Sequence, residues 1–374
     1  MPSEQALDQS YLKRYNIERM LTVLERCQPV SRTDLARITE MSSASVTRIV
    51  NALTTLGLVR EVSVTSAAGR GRKAINLSTV PEGMFTLGCH IDLRSLRLCL
   101  LDFSSKSRAT AETAIAPDDL NPARITAIVR ELLLRLAPPS LSKVRCLGVS
   151  LSGRVDEPTG RILDSRAFGW RDVDLVGPLS QALSLPVVVE NDVKACLTWE
   201  RDSRRPAPEA LDTAYLYLGR TGIGFANTVG GRLVRGQSNS AGEIEDISLG
   251  LNERLGGHLM EESLVASARR VAPSVQNMGD ILAAHRMGLP WARMLMDDFF
   301  SHLNIVLQLI RALLDPHRII LGGDIPDALR ENQLLPPTAE YELGARFEES
   351  CALGAAAIAR QRALHTLIEG TLDS

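Results

Sequence analysis

Aromatic side chains are scarce in this sequence, at 4% of residues. That scarcity argues against a lectin that stacks sugars on aromatic rings, and against a single-strand nucleic-acid binder that stacks bases. Paired cysteines are missing too. Cys27, Cys89, Cys99, Cys146, Cys196 and Cys351 never fall in a C-x-x-C or C-x-C pair, so neither a disulfide framework nor a cysteine-rich zinc site is signalled. Most sit in apolar stretches, as Cys99 does between Leu98 and Leu100, and read as small buried hydrophobes. No apolar run approaches a membrane span, and Met1–Ser10 is polar and acidic rather than signal-like, so a cytoplasmic protein with no membrane partner is expected. One more absence is local: from Met41 to Arg60 there is no acidic residue, while Arg48 and Arg60 are present.

That gap belongs to a wider division of charge. Residues 1–80 carry 11 Lys/Arg against 7 Asp/Glu, whereas residues 81–374 carry 31 against 37. A basic head on an acidic body is the balance expected when only the head meets phosphate. The 374 residues suit two or three domains, and 45% hydrophobic content supplies sizeable cores.

Within the head, Ile17, Met20, Leu21 and Leu24 recur at helical spacing and stop before Gln28-Pro29. Ser31-Arg32-Thr33-Asp34 has the form of a capping box and opens a short helix with Leu35 and Ile38 inward. Ser42 or Ser43 can cap a third helix, with Val46, Ile49, Val50, Leu53 and Leu56 inward and Gly57 as its stop. Two short helices around a tight turn make a helix-turn-helix. Its outward candidates for DNA contact are Ser42, Ser43, Ser45, Thr47 and Arg48, with Asn51 beside them. Short hydroxyls permit close approach to the major groove, and Arg48 can reach a phosphate or a guanine edge. Alternation at Val62 and Val64, then at Ile75 and Leu77, predicts a hairpin whose tip carries Arg70, Gly71, Arg72 and Lys73. Arginines flanked by glycine suit a narrow minor groove, so the expected fold of residues 1–80 is a winged helix-turn-helix on a double-stranded DNA operator.

Ser78–Gly83 reads as a linker. Beyond it strands and helices alternate: strands at Thr86–Asp92, Leu96–Phe103, Val144–Leu151, Val187–Glu190, Tyr215–Leu218 and Arg318–Leu321, and helices at Pro122–Leu136, Val193–Arg201, Met260–Val271, Trp291–Leu314 and Cys351–Ile368. This is an α/β pattern in two lobes, each with its own sheet.

Ordered motifs then resemble the ROK family: Leu151-Ser152-Gly153-Arg154-Val155-Asp156, Gly169-Trp170-Arg171-Asp172-Val173, Val187-Val188-Val189-Glu190-Asn191-Asp192, Thr221-Gly222-Ile223-Gly224, Gly231-Arg232-Leu233-Val234-Arg235-Gly236, Ala241-Gly242-Glu243-Ile244 and Leu321-Gly322-Gly323. The resemblance covers roughly Phe85 to Arg360 and implies a two-lobed actin-like, hexokinase-like ATPase fold, with lobes at 84–190 and 191–374 and the terminal helix packed back on the first. The helix-turn-helix is similar to that of the family's repressor branch, which includes the xylose and N-acetylglucosamine repressors. The implied function is repression of carbohydrate-metabolism genes by a homodimer or homotetramer under a sugar or sugar-phosphate effector. The alternatives are a ROK-type sugar kinase with an attached DNA-binding domain, and a ligand-independent regulator.

The resemblance also implies where the effector sits. Ser152, Gly153, Asn191, Asp192 and Glu243 match sugar-contacting positions, with Asp192 in the place of the kinase base. Asp246 stands where the family often has a histidine, and Glu261, with a one-residue slip, matches the final glutamate. Phosphate loops depart from the kinase pattern. Asp92 is followed by Leu93-Arg94-Ser95 instead of Gly-Gly-Thr, and Arg220 replaces the first glycine of Gly-Thr-Gly-Ile-Gly. Long side chains in place of glycine obstruct a phosphate cradle, so no catalysis and no cofactor are expected. The family's three zinc cysteines are replaced by Leu251, Glu253 and His258, so no metal is expected either, with Asp246, Glu253 and His258 as the alternative ligand set.

Overall fold

The computed structural model describes residues 4–63, 75–136, 141–203, 211–250, 253–335 and 340–372. The head runs α1 (Glu4–Cys27), β1 (Val30–Ser31), α2 (Arg32–Thr39), α3 (Ser43–Thr55), β2 (Val59–Ser63) and β3 (Ile75–Thr79). Helix α2 starts at Ser31 because the Ser31 Oγ accepts the Asp34 amide at 3.1 Å, while its hydroxyl donates to the Asp34 carboxylate at 2.7 Å. Helix α3 starts at Ser42, whose Oγ accepts the Ser45 amide at 3.1 Å. It ends at Leu56, where Gly57 supplies a left-handed φ of 70°. Strands β2 and β3 pair antiparallel from Val59↔Thr79 to Ser63↔Ile75, and β1 joins the outer side of β3. The wing tip with Arg70, Gly71, Arg72 and Lys73 lies outside the described residues.

One inward assignment fails. Ile38 is 37% exposed, and Thr39 is buried in its place, its hydroxyl donating to the Leu35 carbonyl at 2.6 Å. The eight-residue α2 packs along its i, i+4 edge through Leu35 and Thr39, and that turns Ile38 outward.

The body follows as β4 (Phe85–Ile91), β5 (Ser95–Asp102), β6 (Ser107–Ala114), α4 (Pro122–Leu136), β7 (Val144–Leu151), β8 (Arg154–Asp156), β9 (Arg161–Ser165), β10 (Trp170–Val173), α5 (Val176–Leu183) and β11 (Val187–Asn191). A second set comprises α6 (Asp192–Ser203), β12 (Thr213–Leu218), β13 (Ile223–Val229), β14 (Arg232–Leu233), α7 (Gly256–Leu259), α8 (Glu261–Arg269), α9 (Met278–Arg286), α10 (Pro290–Leu314), β15 (Arg318–Gly322), α11 (Asp324–Glu331), β16 (Glu342–Leu343) and α12 (Phe347–Leu372). The two main sheets have orders β11-β7-β4-β5-β6 and β14-β13-β12-β15-β16. Each is an antiparallel meander (β4-β5-β6, β12-β13-β14) whose first strand pairs in parallel with a later one, which pairs in turn with another: β7 then β11, and β15 then β16. The body is therefore two copies of one plan, as the two-lobed expectation required. Strand β6 lies where the sequence reading placed no element. It is an edge strand with Ala109 and Ala111 on the core and charged residues outward, so polarity hid it. The helix expected at Met260–Val271 is α8, and extended backbone at Met260 separates it from the short α7, which was not expected.

Helix α12 is the common girder. It lies on the first sheet so closely that a Cβ on Gly148 would fall 1.9 Å from the Ala355 carbonyl oxygen, and one on Gly354 1.9 Å from that of Ala195 in α6. Its far half enters the head. Ala359, Ala363, Leu364 and Ile368 share one buried cluster with Leu24, Leu53 and Leu58. The Arg360 guanidinium pairs with Glu25 of α1 and donates to the Phe103 carbonyl at 2.8 Å. No described helix is long and apolar enough to cross a membrane.

Candidate functional site: a DNA-reading head and a polar cleft

On the head, the structure sets Ser42, Ser43, Thr47, Arg48 and Asn51 on the exposed side of α3, with Val46, Ile49, Val50 and Leu53 buried behind them. Ser45 is half-buried and its hydroxyl accepts from Ser42 at 2.9 Å, so these two serines shape the start of the helix while Ser43, Thr47 and Arg48 present free faces. Sequence reading missed Arg32. At the start of α2, its guanidinium donates to the Asn51 side chain at 2.9 Å and to Glu61 at 3.2 Å. It thereby joins α2 to the edge of the α3 surface, with its charge balanced by Glu61. The cue was available: a basic residue inside a capping box beside an acid-free helix.

In the body, the ends of β7 and β11, the start of α6 and the loop after β14 bring the candidate sugar positions together. Asn191 donates to the Gly153 carbonyl at 3.1 Å and accepts the Lys194 amide at 3.1 Å, so its amide ties two segments and caps α6. The Ser152 carbonyl accepts the Ser165 hydroxyl at 2.6 Å, which pins the Ser152-Gly153 turn. Asp192 is 8% exposed, and burial pushes its carboxyl up to about 7, with the charges of Glu243 and Asp92 acting in the same direction. Glu243 is raised by partial burial, opposed by Lys194. Lys194 itself is 4% exposed; burial lowers its pKa, while Glu190 and Glu243 act against that shift. This ammonium among carboxylates was not foreseen, because a lysine at the third position of a helix usually signals a solvated face. Glu190 is paired with Arg235 at 2.6 Å.

Two expected positions behave differently. Asp246 pairs with Arg166 and, at 3.1 Å, with Arg254, so its carboxylate joins an ion network across the cleft. Arg154 spans the same gap, bound to Asp164 on its own lobe and to the Ser240 hydroxyl at 3.0 Å on the other. Glu261 is the first residue of α8. Its carboxylate accepts the Met278 amide at 2.9 Å and serves the start of α9, because the break at Met260 turns the first residue of α8 toward that helix.

The two loops that match the family's phosphate loops make hydrogen bonds within the protein. The Asp92 amide closes on the Ser95 carbonyl at 3.0 Å, making a tight hairpin around Leu93 and Arg94. In the second loop the Arg220 amide donates to the Asp324 carboxylate at 3.0 Å. Burial raises the Asp324 carboxyl. A backbone donor of the kind that binds phosphate is thus already taken by an acid.

Comparison with known proteins agrees with this division. The signature described as ROK family matches residues 87–362, and that described as IclR helix-turn-helix domain matches residues 18–63. A transcriptional regulator of Mycobacterium tuberculosis, Rv0485, is 30% identical over 330 residues, covering 81% of this chain and 74% of that one. An N-acetylglucosamine repressor of Escherichia coli is 23% identical over 346 residues, covering 87% and 84% respectively. Among solved structures, a ROK family transcriptional regulator described as a homolog of the E. coli MLC protein superposes with a TM-score of 0.79 at 21% identity, covering 96% of this chain and 99% of that one.

Proposed function

The chain belongs to the ROK family and is a DNA-binding transcription regulator; we propose that it represses carbohydrate-metabolism genes as a homodimer controlled by a sugar or sugar-phosphate effector. Ser43, Thr47 and Arg48 read the major groove, Arg32 holds phosphate, and the Arg70, Gly71, Arg72 and Lys73 wing enters the minor groove. The effector sits between the lobes, against Ser152, Gly153, Asn191, Asp192, Lys194 and Glu243, with the Asp246–Arg166 pair at the cleft's edge. A mixed set of carboxylates, one amide and one ammonium can satisfy the hydroxyls of a polyol.

The observation that carries this reading is α12. The Cys351 thiol donates to the Asp192 carbonyl at 3.3 Å at one end of the helix, and Arg360 pairs with Glu25 nine residues on. At about 1.5 Å per residue, those contacts are separated by only about 14 Å of rigid helix. A change of lobe angle that shifts α6 against α12 is thus delivered to α1 and α3. Release of DNA requires the effector to prefer the non-binding state; moving 1:99 to 99:1 takes about 5.5 kcal/mol of differential affinity. The dimer reading is supported by α10, whose Ile305, Leu309 and Leu313 lie exposed at i, i+4 and i+8 as one apolar stripe.

Catalysis is not part of this reading, because Asp324 takes the Arg220 amide and Arg94 and Arg220 stand in place of loop glycines. One observation favours the kinase alternative: an Asp192 carboxyl near 7 is suited to a general base. A panel of hexoses, amino sugars and their phosphates separates the readings. A regulator shows ligand-dependent thermal stabilisation and loss of operator binding, without ADP release from ATP. Sugar-dependent ADP release would establish the kinase, and no stabilisation by any member would establish a ligand-independent regulator.

A further inference from the structure

Away from both sites, α7 and α10 bring two histidines and a carboxylate together. His258 of α7 donates from Nδ1 to the Asp298 carboxylate at 2.7 Å. His302, one turn further along α10, donates from Nδ1 to the Asp298 carbonyl at 2.9 Å and lies 3.4 Å from its carboxylate. The two imidazoles stack with centroids 3.8 Å apart and planes 20° from parallel. One ligand atom from each of the three residues lies within 4.8 Å of the others.

The protein holds this geometry from behind. Leu255, Leu259, Met296, Phe299 and Leu303, which flank the three residues on both helices, belong to one buried cluster. The His258 amide is fixed to the Leu255 carbonyl at 3.1 Å. The histidine side chains are only 22% and 18% exposed, so their rings have little freedom to leave. Both Nδ1 atoms face the Asp298 carboxylate, so these three groups supply the atoms that an ion would draw together, taking the place of hydrogen on Nδ1. Two half-buried imidazoles converging on a carboxylate are a transition-metal donor set; calcium and magnesium take oxygen ligands instead.

We propose that His258, Asp298 and His302 form a binding site for one divalent ion of the zinc class, with solvent completing the shell. This replaces the expectation of no metal and the alternative set of Asp246, Glu253 and His258, since Asp246 is committed to Arg166 and Arg254. Such an ion ties α7 to α10. It also steadies the loop before α7, where the Gly256 amide meets the Glu245 carbonyl at 3.1 Å.

The test uses the full-length chain carrying Cys27→Ser, which removes the exposed thiol as a competing ligand, stripped with EDTA and titrated with zinc by calorimetry. One equivalent is expected to bind, with a rise in melting temperature, and cobalt is expected to give visible ligand-field bands. His258→Ala and His302→Ala are each expected to weaken zinc binding by about 100-fold or more, a loss larger than outer-shell changes cause. His258→Gln and Asp298→Asn, which keep hydrogen-bonding capacity, guard against simple misfolding and are expected to lose the cobalt bands while retaining the circular dichroism of the folded chain. The proposal is overturned if the stripped protein takes up no zinc, or if the His258→Ala/His302→Ala double variant takes up zinc as tightly as its parent.

Discussion

The head and the cleft use polar side chains in opposite ways. On α3 the hydroxyls and Arg48 face solvent, and the apolar residues behind them do nothing but hold the helix in place. In the cleft several polar groups already have a task within the protein: Asn191 caps α6, Asp246 pairs with arginines and Asp324 takes a loop amide. A surface built to meet a rigid, charged partner can be left open, because water solvates it until DNA arrives. A ligand entering the cleft would compete with these internal partners, and under the proposed function that competition couples binding to conformation.

Several substitutions would break or sharpen this contrast. The largest effect belongs to the girder that joins the two regions. Gly148→Val places a side chain where the Ala355 carbonyl now lies, and is expected to destabilise the chain by about 3 kcal/mol or more and to abolish a single cooperative transition in thermal unfolding. On the open face, Arg48→Ala is expected to cost about 1–3 kcal/mol of operator affinity and to relax sequence preference, measured by titrating operator and scrambled duplexes. Arg70→Ala with Arg72→Ala should instead weaken both duplexes alike and reduce the salt slope by about 0.9 per lost phosphate contact. In the cleft, Asp192 has a folded carboxyl raised from 3.8 to about 7, so the native state binds the extra proton. Its contribution is present below about 4 and is lost as pH rises toward 7, and Asp192→Asn should flatten the stability profile across that window. The smallest effect is expected from Arg166→Ala. Its pair with Asp246 is largely exposed, so effector affinity should fall by less than about fivefold.

Much of the head was legible because its signals are local. Ser31, Ser42 and Gly57 mark helix ends by chemistry that acts within four residues, and α3 appeared with its buried face as read. Ile38 was misplaced because an eight-residue helix is too short for periodicity to fix its phase. The body's architecture was legible through ordered motifs, yet the side-chain partners were not. That Glu261 would turn to α9, or that Arg166 would reach Asp246 eighty residues away, depends on long-range packing that no spacing rule contains. The same holds for α12: the resemblance implied a terminal helix packed back on the first lobe, but its contacts with Ala195 in α6 and Glu25 on the head arise only in three dimensions.

Under the proposed function, α12 carries the state of the cleft to the head. The direct measurement is operator affinity with and without a stabilising sugar, for the native chain and for Arg360→Ala, with Glu25→Gln closing a double-mutant cycle. Sugar is expected to weaken operator binding at least about tenfold in the native chain, and Arg360→Ala to reduce this coupling while sugar and operator each still bind. Coupling of the same size in both proteins would contradict it.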